Sequence, residues 1–392
     1  MNLQLQVNRI RIALNALFCS LRKKQINGHS KKILIVFQQV FGDAVVLSNS
    51  LQEYERIYPK SEGYQITLLA RPVVKNFMES VLPIPESISL EPVDFKRFIE
   101  DYSYYKEVLD KYQNFADIII VPGTSLSAEV FSAACVANNK ISLLSSTPVK
   151  RPFFRVIFYQ RAYTHKVKTL KEDMMLQRHR RLINYLGDKE YKAKLPELLV
   201  KEKIIDEERY CVVCLGASKK EKCWPIDRFA KVADYIHDQY GMKVHLCGGA
   251  DEEEYENLIL SQVENPGNIV SHIGKTSFSD WSAIVQHAEL VLGNDSATMH
   301  LAAASRRKAI CMAGIYDKYQ FFPYKVDELD EGDRLPVTLI KDMPCEWCRT
   351  IGYFAGYGNP ECKARIRENL CSCCIDLITI EDVIEQIDKL MR

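Results

Sequence analysis

No stretch of this chain approaches the roughly 18 uncharged apolar residues that a membrane-spanning helix needs. Net charge is almost missing too: 52 Lys and Arg against 51 Asp and Glu leave +1, which removes any global case for a nucleic-acid binder. The glycine fingerprint of dinucleotide oxidoreductases is absent. The first strand–helix loop reads Val36-Phe37-Gln38-Gln39-Val40-Phe41-Gly42, which is not GxGxxG. A secretory leader, with its long clean apolar core and small-residue cleavage site, is not seen either. The expected setting is therefore cytoplasmic and reducing, where disulfides are rare. Of the 13 cysteines, Cys135, Cys211, Cys214 and Cys311 sit singly in apolar runs, as small core hydrophobes do.

What is present is an ordinary globular composition, 47% hydrophobic and 26% charged, over 392 residues, a length that suits about two to three domains. Lys32 to Phe37 is apolar on both faces, as buried parallel strands are. Further strands are expected over 65–70, 117–122 and 141–144, with helices between them. A basic, helical stretch is expected from about 150 to 205. The pattern then restarts, with strands at 210–215, 243–247, 270–272, 290–292 and 309–312. Strands alternating with helices predict two α/β halves with parallel sheets. The expected divisions are an amphipathic basic segment over 1–30, a first Rossmann-like domain over 31–190, a second over 205–335, and a Cys-rich tail with a closing helix over 336–392.

Four constellations could carry chemistry. In Val291-Leu292-Gly293-Asn294-Asp295-Ser296-Ala297 an apolar strand runs through a polar turn into an Ala-rich helix bearing His300. Such a turn aims backbone N–H groups at one point, which suits a phosphate and a sugar. An ordinary capped helix would also fit it. Ser218 and Lys222 precede Pro225, which presets a helix start; a hydroxyl and an ammonium there could meet a phosphate. Gly42 is expected to make a tight turn ahead of a helix from about Ala44. Asp43 then stands at the sheet mouth as a general base or as a helix cap. Gly248-Gly249 closes a strand before Asp251 to Glu254, from which Glu253 is the candidate acceptor for ribose hydroxyls.

Taken together these segments resemble glycosyltransferase family 9, the heptosyltransferases of lipopolysaccharide core synthesis and their relatives. GNDSATMHLAAA is similar to the family's GxDSGxxHLAAA stretch, SKKEKCWP to its Lys-x-Trp-Pro segment, and KKILIVFQQVFGDAVVLSNSL to its N-terminal strand and Gly-Asp turn. The resemblance runs over about 31–325. It implies a GT-B fold, two Rossmann-like domains facing across a cleft, with the acceptor on the first and the nucleotide-sugar on the second. It implies inverting transfer that needs no divalent metal and no cofactor, from a nucleotide-diphospho-sugar such as ADP-heptose. By the same resemblance Asp43 matches the base, and Ser218 and Lys222 the donor-phosphate contacts. Asp295, Ser296, Ala297 and His300 match the donor loop. The last helix is expected to cross back onto the first domain. One departure stands out: Ala297 replaces the family's Gly, which would strain the turn if φ there were positive.

Three other features point to partners. Residues 8–24 place Leu14, Leu17, Phe18 and Leu21 at helical spacing among Arg9, Arg11, Arg22, Lys23 and Lys24, which fits either a helix on anionic lipid or one docked on the protein. Residues 150–181 hold ten Lys or Arg against two acids, with Phe153, Phe154, Phe158 and Tyr159 among them; no nucleic-acid module is recognised there. This surface suits an anionic glycolipid or glycan, and Arg71, Arg151 and Arg155 are the acceptor-side candidates. Cys345 and Cys348, followed by Cys362 and Cys371, could hold structural zinc or an iron–sulfur cluster, or pack as free thiols. The reading is a glycosyltransferase acting on a lipopolysaccharide-core or other surface-glycan acceptor at the cytoplasmic face of a bacterial inner membrane. Its rivals are a non-catalytic scaffold of a glycan-assembly complex and another GT-B enzyme such as a sugar-nucleotide epimerase.

Overall fold

The computed structural model describes residues 3–21, 30–123, 125–144, 162–170, 172–315, 320–343 and 360–392. Its contacts fall into two units. Unit 1 comprises Met1–Glu79, Ile84–Lys171 and Gln177–Ala193, and unit 2 comprises Ser80–Pro83, Glu172–Leu176 and Lys194–Arg392.

Unit 1 opens with helix α1 (Leu3–Leu21), followed by β1 (Lys32–Val36), α2 (Phe41–Ile57), β2 (Gln65–Ala70), α3 (Pro72–Val81), β3 (Ile88–Pro92), α4 (Phe95–Phe98), α5 (Tyr102–Tyr112), β4 (Ile118–Val121), α6 (Leu126–Ala134), β5 (Asn139–Leu144) and β6 (His165–Lys168), with α7 (Met175–Leu186) after it. The six strands are all parallel, in the order β3-β2-β1-β4-β5-β6. β1 is central because Ile33, Leu34, Ile35 and Val36 offer apolar surface to both faces, and all four are fully buried. Phe98, Tyr105, Tyr112 and Phe131 pack as an aromatic cluster beneath α4, α5 and α6. Ile12 and Ala16 of α1 join that core, so α1 is built into unit 1.

Unit 2 repeats the plan with β7 (Tyr210–Cys214), α8 (Ile226–Tyr240), β8 (Lys243–Leu246), α9 (Glu253–Leu260), β9 (Ile269–Ser271), α10 (Phe278–Gln286), β10 (Leu290–Asn294), α11 (Ala297–Ala304), β11 (Lys308–Met312) and β12 (Val337–Leu339). Its parallel sheet runs β12-β11-β10-β7-β8-β9. Both sheets therefore have the Rossmann strand order, and in each the direction of strand addition reverses beside the first strand. That reversal opens a crevice at the strand C-termini. In unit 1 it lies between β1 and β4, and in unit 2 between β7 and β10.

Three strands differ from expectation. β3, β6 and β12 were not foreseen, and each is a sheet edge. β6 reads His165-Lys166-Val167-Lys168, and only Val167 is buried. Edge strands carry charge that blunts pairing with other chains, so they lack the apolar run that marks a central strand.

The C-terminal part is also firmer than its sequence suggests. α12 (Pro360–Arg367), α13 (Cys373–Asp376) and α14 (Ile380–Met391) follow β12. Ile375, Ile378, Val383 and Ile387 are fully buried in the same core as β7, β8 and α8. Thr379 and Asp382 close a capping box at the start of α14. Tyr235 and Tyr240 of α8 each donate to Asp388 at 2.7 Å. α14 is thus part of unit 2, where the resemblance had implied a helix crossing to the first domain. Its apolar stripe is already satisfied by α8 and the β11–β12 edge.

Candidate functional site

Within unit 2 the loops after β7 and β10 meet at the crevice. Asn294 ends β10 fully buried, a polar residue at the end of an otherwise apolar strand. Its Oδ1 accepts from the Trp224 backbone N–H at 2.8 Å, and its Nδ2 donates to the Leu215 carbonyl at 2.7 Å. One side chain therefore ties the end of β10 to the loop after β7 and to the entry of α8. Burial without these bonds would cost on the order of 1–3 kcal/mol per orphaned group. Sequence reasoning passed over Asn294; the signal was a lone amide closing an apolar strand.

The segment between them folds as a short 3-10 turn over Lys220–Lys222, and Pro225 stands as the N-cap of α8. Trp224 is buried and its indole N–H donates to the Ile378 carbonyl at 2.9 Å. Arg228 donates to the carbonyls of Asp376 and Ile378 and to the Asp376 carboxylate. This anchoring sets Lys222 inward. Its ammonium meets Asp295 Oδ2 at 2.9 Å, with side chains only 10% and 6% exposed. The two motifs that the sequence singled out separately are joined by this buried ion pair. Ser218 is exposed on the same loop.

Ser296 is the N-cap of α11, yet its side chain makes no capping bond; its hydroxyl lies 3.7 Å from the Cys214 sulfur. Ala297 is the first helical residue, and it is not among the described residues with positive φ. The strain expected from replacing Gly is therefore absent. His300 is buried, with Nδ1 2.6 Å from the Tyr324 hydroxyl, and packs among Phe321, Phe322 and Tyr324. Burial lowers its pKa to about 4, against partial relief from Asp295. At neutral pH it is an uncharged imidazole and brings no positive charge to a phosphate.

The ribose-side candidate lies beside a second carboxylate. Glu253 is exposed and belongs to the start of α9. The preceding residue, Glu252, turns back over the strand ends. A Cβ on Gly216 would fall 2.3 Å from the Glu252 carboxyl carbon, and one on Gly248 would fall 2.8 Å from it. Both glycines are thus needed for close approach, where any side chain would displace the carboxylate. Burial raises Glu252 to about 7, and Oε2 is buried without a hydrogen-bond partner among the described residues.

In unit 1, Asp43 lies at the C-terminal end of β1, as expected, but inside a helix. α2 begins at Phe41 with Val40 as N-cap, so Gly42 is helical and makes no tight turn. Phe41 packs on Phe77 with ring centroids 5.1 Å apart, which anchors the earlier start. Asp43 is half-buried in the first turn, where the helix dipole favours a carboxylate. Arg71 follows β2 at the same end of the sheet and is half-buried. Arg151, Arg155, Cys345 and Cys348 lie outside the described residues. Cys362 and Cys371 are buried, and Arg365 donates to Cys371 at 3.5 Å.

Twin Rossmann-like units, each with a crevice where its strand order reverses, define the fold class of the protein. The model of glycosyltransferase family 9 (heptosyltransferase) matches residues 111–329, and the chain belongs to that family. Among curated relatives, lipopolysaccharide heptosyltransferase 3 of Escherichia coli is 31% identical over 119 residues, 30% of this chain and 34% of the relative. The chain thus spans about a third of the length of that relative. Among solved structures, the family 9 glycosyl transferase of Veillonella parvula is similar with a TM-score of 0.64 at 16% identity, over 94% of this chain and 99% of that one. ADP-heptose lipopolysaccharide heptosyltransferase II of Escherichia coli is similar with a TM-score of 0.62 at 18% identity, over 92% and 98%. These structural likenesses concern the fold.

Proposed function

We propose that the chain is an inverting glycosyltransferase that moves a sugar from a nucleotide-diphospho-sugar, ADP-heptose first among candidates, to a lipopolysaccharide-core or other surface-glycan acceptor on the cytoplasmic side of a bacterial inner membrane. The observation that carries this reading is the Lys222–Asp295 pair, buried at 2.9 Å beside the start of α11, whose N-cap Ser296 makes no side-chain capping bond. The Lys222 ammonium and the first-turn amides of α11 suit a diphosphate. Asp295, freed from part of its pairing as phosphate arrives, can accept from a sugar hydroxyl. Glu252, held against Gly216 and Gly248, suits ribose hydroxyls better than the exposed Glu253.

In this reading Asp43 takes the proton of the attacking acceptor hydroxyl. The new bond forms from that oxygen to the anomeric carbon as the bond to the diphosphate oxygen breaks, and the leaving nucleoside diphosphate carries the electron pair. Displacement in one step inverts the carbon. The growing negative charge is met by Lys222, the hydroxyls of Ser218 and Ser296, and helix-end amides, so the step calls on no divalent cation. His300, neutral and hydrogen-bonded to Tyr324, holds the wall behind Asp295.

A structural metal at the Cys-rich end is a separate matter. Among the described residues no three His, Cys, Asp or Glu side chains gather into a metal site, so Cys362 and Cys371 do not make one by themselves. Elemental analysis of the purified chain shows whether Cys345 and Cys348 complete a zinc or iron site. The transfer step does not pass through it.

The test is titration calorimetry with ADP-heptose and other nucleotide sugars, followed by mass analysis of an acceptor incubated with the donor that binds. Acceptor heavier by one sugar, with stoichiometric nucleoside diphosphate, supports the reading. Free nucleotide without a joined product points to an epimerase or hydrolase. No binding of any nucleotide sugar, together with stable capture of a partner, points to a scaffold. Either result overturns it.

A further inference from the structure

α1 is amphipathic in an unexpected sense. The face that docks on unit 1 mixes apolar and polar residues, with Leu17 packed beside the core. Ile12 and Ala16 are buried; Asn8 donates to the Glu100 carbonyl at 3.1 Å, and Asn15 accepts from the Tyr105 hydroxyl at 3.0 Å. A second set of apolar side chains points the other way. Leu3, Val7, Ile10, Leu14 and Leu21 are between 40% and 74% exposed, and Phe18 lies on the same stripe. At ~100° per residue these positions fall within an arc of about 80°. Scattered surface leucines are ordinary, but a contiguous stripe along a 19-residue helix marks an interaction surface.

The charge around the stripe selects its occupant. α1 itself carries Arg9 and Arg11 and no Asp or Glu, Arg9 being paired with Glu100 at 2.6 Å, and Arg22, Lys23 and Lys24 follow it in the sequence. Arg11 lies over the Tyr102 ring at 4.7 Å, on one rim of the stripe. A second copy of the helix laid on this face, in either direction, would set cation against cation. Nothing on α1 could form the opposite-charge rim that specifies helix pairing. An apolar stripe with a cationic rim and no acid is what an anionic lipid surface takes up in its interfacial layer. We infer that the outward face of α1, with Leu3, Val7, Ile10, Leu14 and Leu21 buried among acyl chains, seats this protein on an anionic phospholipid surface. The inward face keeps it fixed to unit 1. The inference stands apart from the transferase reading, because binding to lipid needs neither donor nor acceptor.

The experiment is co-sedimentation of the full chain with phosphatidylglycerol–phosphatidylcholine vesicles and with pure phosphatidylcholine vesicles, beside the variant Ile10→Gln/Leu14→Gln. Both positions are exposed, so circular dichroism and nucleotide-sugar binding should match the parent chain. Expected is binding to the anionic vesicles at least about tenfold above the neutral ones, falling with salt, and at least about tenfold weaker in the variant. Equal sedimentation of parent and variant overturns the inference, as does failure of the parent to bind anionic vesicles. Light scattering that shows a dimer lost in the variant, without vesicle binding, assigns the face to a second copy and also overturns it.

Discussion

Breaking the Lys222–Asp295 pair should be far more costly than removing it whole. The ammonium and carboxylate are 2.9 Å apart, and their side chains are 10% and 6% exposed, so neither can turn to bulk water without rearranging the loop. Lys222→Met removes one charge, fills similar volume and takes the ammonium away from the buried Asp295 carboxylate. Uncompensated buried charges of this kind cost about 3–5 kcal/mol, whereas replacing both partners by neutral groups is close to neutral. Lys222→Met is therefore expected to lower the melting temperature of a unit this size by about 6–20 °C. The double variant Lys222→Met/Asp295→Asn should recover most of that loss while still failing to hold a nucleoside diphosphate. Denaturant titration of parent, both single variants and the double variant closes the cycle and isolates the coupling. If Lys222→Met costs under about 1 kcal/mol, or the double variant costs the sum of the singles, the two side chains are not the coupled buried pair on which the donor site is built.

Asp43→Asn is expected to cut turnover by about 10²–10⁴-fold while donor affinity by calorimetry stays within about twofold; near-parent turnover would remove Asp43 as the base. Burial raises Glu252 from 4.5 to about 7, so the folded chain keeps a proton there that the unfolded chain has released, and the contribution of Glu252 to stability falls as pH rises between those values. Glu252→Gln should flatten that fall, and a variant profile parallel to the parent's would refute the assignment. His179, His245 and His300 are each lowered by burial to about 4, so their contribution is intact above 6.5 and is lost as pH drops through 4. Acid titration of stability should show more than one proton taken up on unfolding in that window, and a profile flat from 6.5 to 4 would contradict it.

Most of the architecture was legible because central parallel strands announce themselves. Ile33 to Val36 and Tyr210 to Cys214 are apolar to both faces and could be little else. Edge strands were not legible, since one side faces water and Lys166 or Lys168 serves there as well as valine. The start of α2 was misplaced because Gly42 reads as a turn residue until the Phe41–Phe77 contact is known. In the donor-side loops the residue types were visible but their partners were not. Nothing in the order of residues says that Lys222 meets Asp295, separated by 73 positions. Glu252 and Glu253 differ in sequence only by one step, and the clearance over Gly216 and Gly248 is what tells them apart. The exposed stripe of α1 was hidden for the same reason, because a helical wheel shows two apolar faces and cannot say which one is covered.

The clasp of Trp224 and Arg228 on Ile378 and Asp376 has a consequence for biogenesis. The loop that carries Lys222 is held from behind by chain made some 150 residues later. A nascent polypeptide halted before residue 371 would expose the bare flank of α8 and leave the indole N–H unmet. Competence to grip a nucleotide should therefore wait until the residues of α14 have cleared the ribosome, and removal of the segment that holds Asp376 and Ile378 should disable the protein at a distance from the cut.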